Sequence, residues 1–218
     1  MRLFIGLVCI FLVFPLLHSQ RTLSKNLWTS AVFRYKTNRA QFTGDLGFRM
    51  CDDFIHANRT ALARLTIEKT FKKSNNLGVG YAYFEHYINA LSIENRLFAE
   101  YSKQFDAERT ILNVRFRGEI RTFNDRKTNA RLRIQAAWVK DLSRFLETRL
   151  SSELFYSPGK DLFIEQRYSA GLAFRINTHV KFMPFYTLQW QSNVHYPQHI
   201  VGTQLQMSLE NLTSGLND

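Results

Sequence analysis

The chain has 218 residues, 45% hydrophobic and 14% aromatic, with a formal net charge of +11 and a pI near 9.9. Its two cysteines, Cys9 and Cys51, exclude a cysteine-rich metal site, and with Cys9 inside a leader segment no intramolecular disulfide remains for the mature chain. A basic balance invites nucleic acid as a partner, but the arginines stand singly at alternate positions among Glu, Asp, Gln and Thr, which argues for no nucleic acid.

Residues 1–19 read as a cleaved signal peptide. Arg2 supplies the positive start, Leu3–Leu17 is an apolar run broken only by Gly6 and Pro15, and Leu17-His18-Ser19 ends on a small residue. The run is short for a helical span, which needs roughly 20 residues. No later apolar run approaches that length, so a helical membrane protein is excluded.

Residues 20–209 form the body, and its pattern is set at 39–50. There Ala40, Phe42, Gly44, Leu46, Phe48 and Met50 alternate with residues that are polar apart from Gly47, the period of an extended strand with one apolar face. The same two-faced pattern recurs in Ala61–Phe71, Arg96–Phe105, Arg109–Thr122, Ala130–Trp138, Leu146–Tyr156, Arg167–Arg175, Val180–Trp190 and His199–Leu209. Tight polar turns at 36–39, 74–76, 106–108, 141–144 and 177–179 alternate with longer links at 51–59, 88–95, 123–129, 157–162 and 192–198. Residues 210–218 are a polar C-terminal tail.

These elements predict an all-β, antiparallel up-and-down transmembrane β-barrel. About eleven strand-like segments can be counted, whereas a bacterial single-chain barrel takes an even number, so ten or twelve strands are expected. Beyond about eight strands a barrel is too wide for apolar side chains to fill, so the charged faces turn inward and the apolar faces meet lipid. Aromatics near strand ends, among them Tyr35, Phe48, Tyr87, Phe105, Trp138, Tyr156 and Trp190, resemble interfacial girdles. Lys69, Glu85 and Lys103 interrupt the apolar face, each in the second half of its strand.

The predicted lumen is rich in arginine. Its candidate lining residues are Arg49, Arg64, Arg96, Arg115, Arg117, Glu119, Arg131, Arg133, Glu147, Arg149, Glu153, Arg167 and Arg175, joined by Arg34, Arg39, Asp45, Glu68, Glu100 and Glu165. Lumen groups must satisfy one another or water, so a structural ion-pair ladder is the first expectation. A narrow anion-preferring porin for acidic small solutes or oligosaccharides is the alternative.

An outer-membrane hydrolase ranks below both. Asp52, Asp53 and His56 share one link, His195 and His199 flank another, and His86 ends a strand. None forms a recognisable triad, no Gly-x-Ser-x-Gly string is present, and Pro197 rules out a helix joining His195 to His199. The sequence therefore points to no enzyme, no catalytic residues, no metal and no cofactor.

Trp28 at the first strand, Arg115-Phe116-Arg117, Arg131-Leu132-Arg133 and the run from Glu165 to Phe174 resemble an uncharacterised family of small outer-membrane β-barrels common in Bacteroidetes-type bacteria. The likeness runs from about Leu27 to Leu209. It implies a barrel in the bacterial outer membrane, with lipid and the barrel assembly machinery as partners, and supplies no activity. The last strand departs from the usual barrel ending, finishing at Leu209 without a terminal aromatic.

Overall fold

Strand lengths of 11 to 18 residues set the architecture. The computed structural model describes residues 25–37, 40–51, 58–72, 74–88, 90–158, 163–192 and 196–210. The leader expected at 1–19 and residues 211–218 of the expected tail lie outside them. The strands are β1 (Lys25–Lys36), β2 (Gln41–Cys51), β3 (Asn58–Lys72), β4 (Asn75–Ile88), β5 (Ala90–Ala107), β6 (Thr110–Phe123), β7 (Asn129–Asp141), β8 (Leu146–Ser157), β9 (Phe163–Arg175), β10 (Val180–Gln191) and β11 (Gln198–Glu210).

Each strand pairs antiparallel with the next, and β1 pairs with β11 to close the barrel. The described residues form eleven strands, between the ten and twelve expected from the alternation. Ten antiparallel steps leave the last strand running in the same direction as the first, so closure is parallel, in register from Lys25↔His199 to Lys36↔Glu210.

Alternation and register together fix which face is inside. Arg96 lies opposite Arg121, Glu100 opposite Arg117, Arg117 opposite Arg133 and Glu153 opposite Arg167, so one parity on every strand shares one wall. A slip of one residue would turn a whole strand over. Outward positions are apolar and exposed, for example Leu65 at 68% and Leu132 at 54%, while Arg117 and Glu119 on the inner wall retain 5% and 4%.

Two glycines make room on the inner wall. A Cβ at Gly80 would collide with the Phe98 ring and the Leu65 carbonyl, and one at Gly202 with the Phe185 ring and the Trp28 carbonyl. Both rings therefore occupy the space that a side chain would fill at these positions. In β10, Pro184 pairs with Thr203 on β11, but the register with β9 passes from Phe182↔Phe174 to Phe185↔Gly171. Proline has no N–H to give, and the ladder to β9 is interrupted there.

One link is shorter than the sequence suggested. β5 starts at Ala90, so most of 88–95 is strand, and its inward residues join the lumen. The other long links at 124–128 and 192–197 remain non-strand where described. Between β5 and β6 the turn is two residues, with Glu108 at φ 44°, a left-handed conformation that lets the chain reverse tightly.

Two of the charges on the outer face, Glu85 and Lys103, have local partners. Glu85 accepts hydrogen bonds from the phenols of Tyr83 at 2.8 Å and Tyr87 at 2.7 Å. Lys103 lies 4.9 Å from the Phe105 ring centroid. Tyr186 and His199 also meet on this face through a short hydrogen bond.

Candidate functional site

The inner wall carries a continuous ladder of ion pairs at mid-barrel. Arg117 donates to Glu100 from Nε at 2.7 Å and from Nη2 at 2.6 Å, and its Nη1 lies 3.7 Å from Glu119. Arg131 donates to the same oxygen of Glu119 from Nε at 2.9 Å and from Nη2 at 2.6 Å. Across the next strands Arg133 holds Glu153 at 2.5 Å, Gln135 bridges Arg115 and Glu153, and Arg167 pairs with Glu165. Arg64 pairs with Asp45 on the β2–β3 side. Such charges tolerate burial where a carboxylate accepts more than one charge-assisted hydrogen bond, as Glu119 and Glu153 do.

A second node gathers around Glu94, which is fully buried. It accepts from Arg96 at 2.5 and 3.0 Å, from Arg121 through a short bond, and meets His86 Nε2 at 3.1 Å; His86 Nδ1 meets the Thr60 hydroxyl at 3.0 Å. Glu94 falls within the link expected at 88–95 from the sequence. Its parity within β5, two before Arg96, was the signal available. Toward the end of the barrel that carries the tight turns, Arg175 pairs with Asp141 and, at 3.1 Å, with Glu147, which also accepts from Lys181 at 2.7 Å.

Aromatic rings share the inner wall with the arginines. Arg96 stacks 3.8 Å from the Phe84 centroid, Arg117 4.2 Å from Phe98, and Arg49 4.2 Å from Trp28. Phe155, 1% exposed, is met by Arg131 and Arg133 at 4.9 Å and by Arg167 at 4.6 Å. A guanidinium is weakly hydrated and planar, so it can give its edge to a carboxylate while its face covers a ring. These inward rings break the expected polar parity of their strands. Only the closed barrel reveals that long arginines leave gaps for them.

The thirteen lumen candidates all fall on the inward parity of their strands. The structure brings Arg64, Arg96, Arg115, Arg117, Glu119, Arg131, Arg133, Glu153 and Arg167 into the central network. Glu147 and Arg175 form the separate cluster near the turns. Arg34, Arg49 and Arg149 make no ion pair among the described residues, and the Nε of Arg34 is buried without a hydrogen-bond partner. Glu68 leans with Glu100 over Gly78. Arg39 lies outside the described residues.

Of the candidate histidines and link acids, the two that are described, His86 and His199, do not converge. His86 is inside on the Glu94 node, whereas His199 faces outward. Asp52, Asp53, His56 and His195 lie outside the described residues. Among the described residues no group of three or more His, Cys, Asp or Glu has the geometry of a metal site.

At the centre of the network lies a cavity of about 60 Å³. Seven arginines line it, Arg49, Arg64, Arg96, Arg117, Arg131, Arg133 and Arg167, with Glu119, Leu62, Ala82, Phe84, Phe98 and Phe155. A model of a family described as "Protein of unknown function (DUF2490)" matches residues 25–199. The chain belongs to the DUF2490 family.

Among curated proteins none matches the chain. Solved structures similar to this DUF2490 chain include OmpT, an outer membrane protein of Vibrio cholerae, folded in vitro, at 8% identity, with 72% of this chain and 52% of that one covered and a TM-score of 0.45. A loop L8 deletion mutant of the same protein gives 9% identity, 76% and 58% coverage and a TM-score of 0.49. Its outer-membrane-expressed form gives 8%, 72% and 68%, with a TM-score of 0.44. The chain thus spans little more than half the length of the first two structures it matches.

Proposed function

We propose that this DUF2490 protein is an integral β-barrel of a bacterial outer membrane, delivered by its leader and inserted by the barrel assembly machinery, with a lumen closed by its ion-pair ladder. The observation that carries this reading is the inverted polarity of the barrel. Leu46, Leu65, Val79, Leu97, Ile120 and Leu132 stand exposed outside, while Asp45, Glu94, Glu100, Arg117, Glu119 and Arg131 are buried inside. In water that arrangement would expose an apolar belt far larger than the few hundred Å² a soluble monomer presents. In a bilayer the same belt is solvated by acyl chains and the polar groups satisfy one another internally.

Closure is the finer part of the reading. Phe155, Ile200 and Glu94 are fully buried within the lumen, and the central space is the small cavity described above. A narrow anion-preferring pore for acidic small solutes is the second reading, favoured by the seven arginines against one glutamate that line that cavity. The proposal assigns no reaction; support comes from His86 and His199, which occupy opposite faces of the wall.

Fractionation and single-channel recording test it. The protein should sediment with outer membrane, migrate differently on gels before and after heating, and give no discrete conductance in planar bilayers. Recovery from the soluble periplasmic fraction without detergent would remove the membrane reading. Anion-selective channels would replace the closed lumen with the pore.

A further inference from the structure

The central cavity has an electrostatic peculiarity. Six of its seven arginines have a carboxylate within reach: Asp45 for Arg64, Glu94 for Arg96, Glu100 for Arg117, Glu119 for Arg131, Glu153 for Arg133 and Glu165 for Arg167. Glu94 and Glu100 are themselves shared, with Arg121 and Arg115 respectively, while Asp45 Oδ1 and Glu165 Oε1 are buried without a hydrogen bond. Arg49, the seventh, makes no ion pair among the described residues and stacks on rings, Trp28 at 4.2 Å and Phe84 at 6.0 Å. Donors are also left over: the Nε–H of Arg133 and of Arg167, both buried in the cavity wall, meet no acceptor.

A half-buried positive charge without an ion-pair partner, as at Arg49, is costly beside walls of low dielectric, and buried N–H donors without acceptors add to that cost. The cavity has the means to relieve both. A water needs roughly 10–15 Å³ of such space, so about 60 Å³ accommodates several waters or a single tetrahedral oxyanion. Guanidinium edges match the oxygens of that class of anion.

We propose that the cavity is a binding site for a small inorganic oxyanion of the phosphate or sulfate class, held by Arg49 together with the spare donors of Arg133 and Arg167. The anion completes the ladder, supplying at the centre the negative charge that the chain's own carboxylates do not. The inference rests on the closed-lumen reading, because an open channel would hold the ion only in passing. An ester or lipid headgroup carries substituents that the enclosed space does not admit, so the free ion is the ligand.

The experiment is thermal unfolding of the full barrel folded in detergent micelles, titrated with inorganic phosphate or sulfate against sodium chloride at constant ionic strength. The expected result is a saturable rise in the unfolding midpoint of several degrees with phosphate or sulfate. Arg49→Gln strands no carboxylate, so it should fold while losing that rise. Arg126→Gln, on the exposed link after β6, should keep it. Absence of a saturable effect in the wild type, or an equal effect in Arg49→Gln, overturns the site. The wild-type titration alone decides should the variant not fold. A barrel silent in planar bilayers but indifferent to phosphate defeats this inference and leaves the closed lumen standing. A conducting barrel defeats the closed lumen itself.

Discussion

Arg117 shows how a single side chain holds a wide barrel shut. Its guanidinium edge is committed to Glu100, one amino group reaches Glu119, and its face lies on Phe98, whose ring in turn covers the bare backbone at Gly80. Three strands of the wall, β4, β5 and β6, are thus tied together around one residue, and each of its three contacts uses a different property of the same group. Arg117→Ala leaves two buried carboxylates short of a donor and opens space beside Phe98. Removing one partner of a buried pair costs about 3–5 kcal/mol, because the remaining charge is stranded. Urea unfolding of the detergent-folded barrel should register a loss of that size, whereas Arg49→Gln, which breaks no ion pair, should cost much less. Equal losses for the two would mean that ion pairing contributes nothing distinctive at this level of the lumen.

Among the strands, the seam between β1 and β11 is unlike the others. It is the one parallel pairing in a ring of antiparallel ones, and parallel ladders are slightly less stable per residue. Alternation made most of the ring legible beforehand: Arg115, Arg117, Arg131, Arg133 and Glu153 could be put on one wall from spacing alone. It could not show the closure, since no local pattern states which partner the first strand takes. Nor could it show Glu94, because a run of Ala, Leu, Ser and Ile ahead of it offers little polar contrast, or the inward Phe84, Phe98 and Phe155, whose parity makes sense only once the arginines around them are placed. The seam can be trapped. Ser30 and Gln204 are register partners facing the lumen, and the Gln204 amide donates to the Ser30 hydroxyl at 3.3 Å. Ser30→Cys with Gln204→Cys, in a Cys51→Ser background, should oxidise to a circularised species of altered gel mobility, since direct partners lie within disulfide reach. Failure of that pair to cross-link in the folded barrel would reject the parallel closure and with it the count of eleven.

At the scale of the molecule, the two faces of one wall obey opposite rules, and substitutions to the same residue should therefore differ by position alone. Phe116 and Leu132 point outward from the middle of β6 and β7, at 47% and 54% exposure. Asn113 and Gln135 sit on the same two strands with opposite parity, and Gln135 already receives Arg115 and donates to Glu153. An arginine on the lipid face near mid-bilayer costs about 2–4 kcal/mol, since it must be desolvated or dragged to the interface. An arginine at 113 or 135 enters a wall built from guanidinium groups, where carboxylates and rings are at hand, so its cost should be smaller. Folding yields into lipid vesicles, read by heat-modifiable migration, should rank Phe116→Arg and Leu132→Arg well below Asn113→Arg and Gln135→Arg. The reverse order would mean that the charged wall faces water and the apolar face is a packed core, and the barrel would then have to be redrawn as a soluble one.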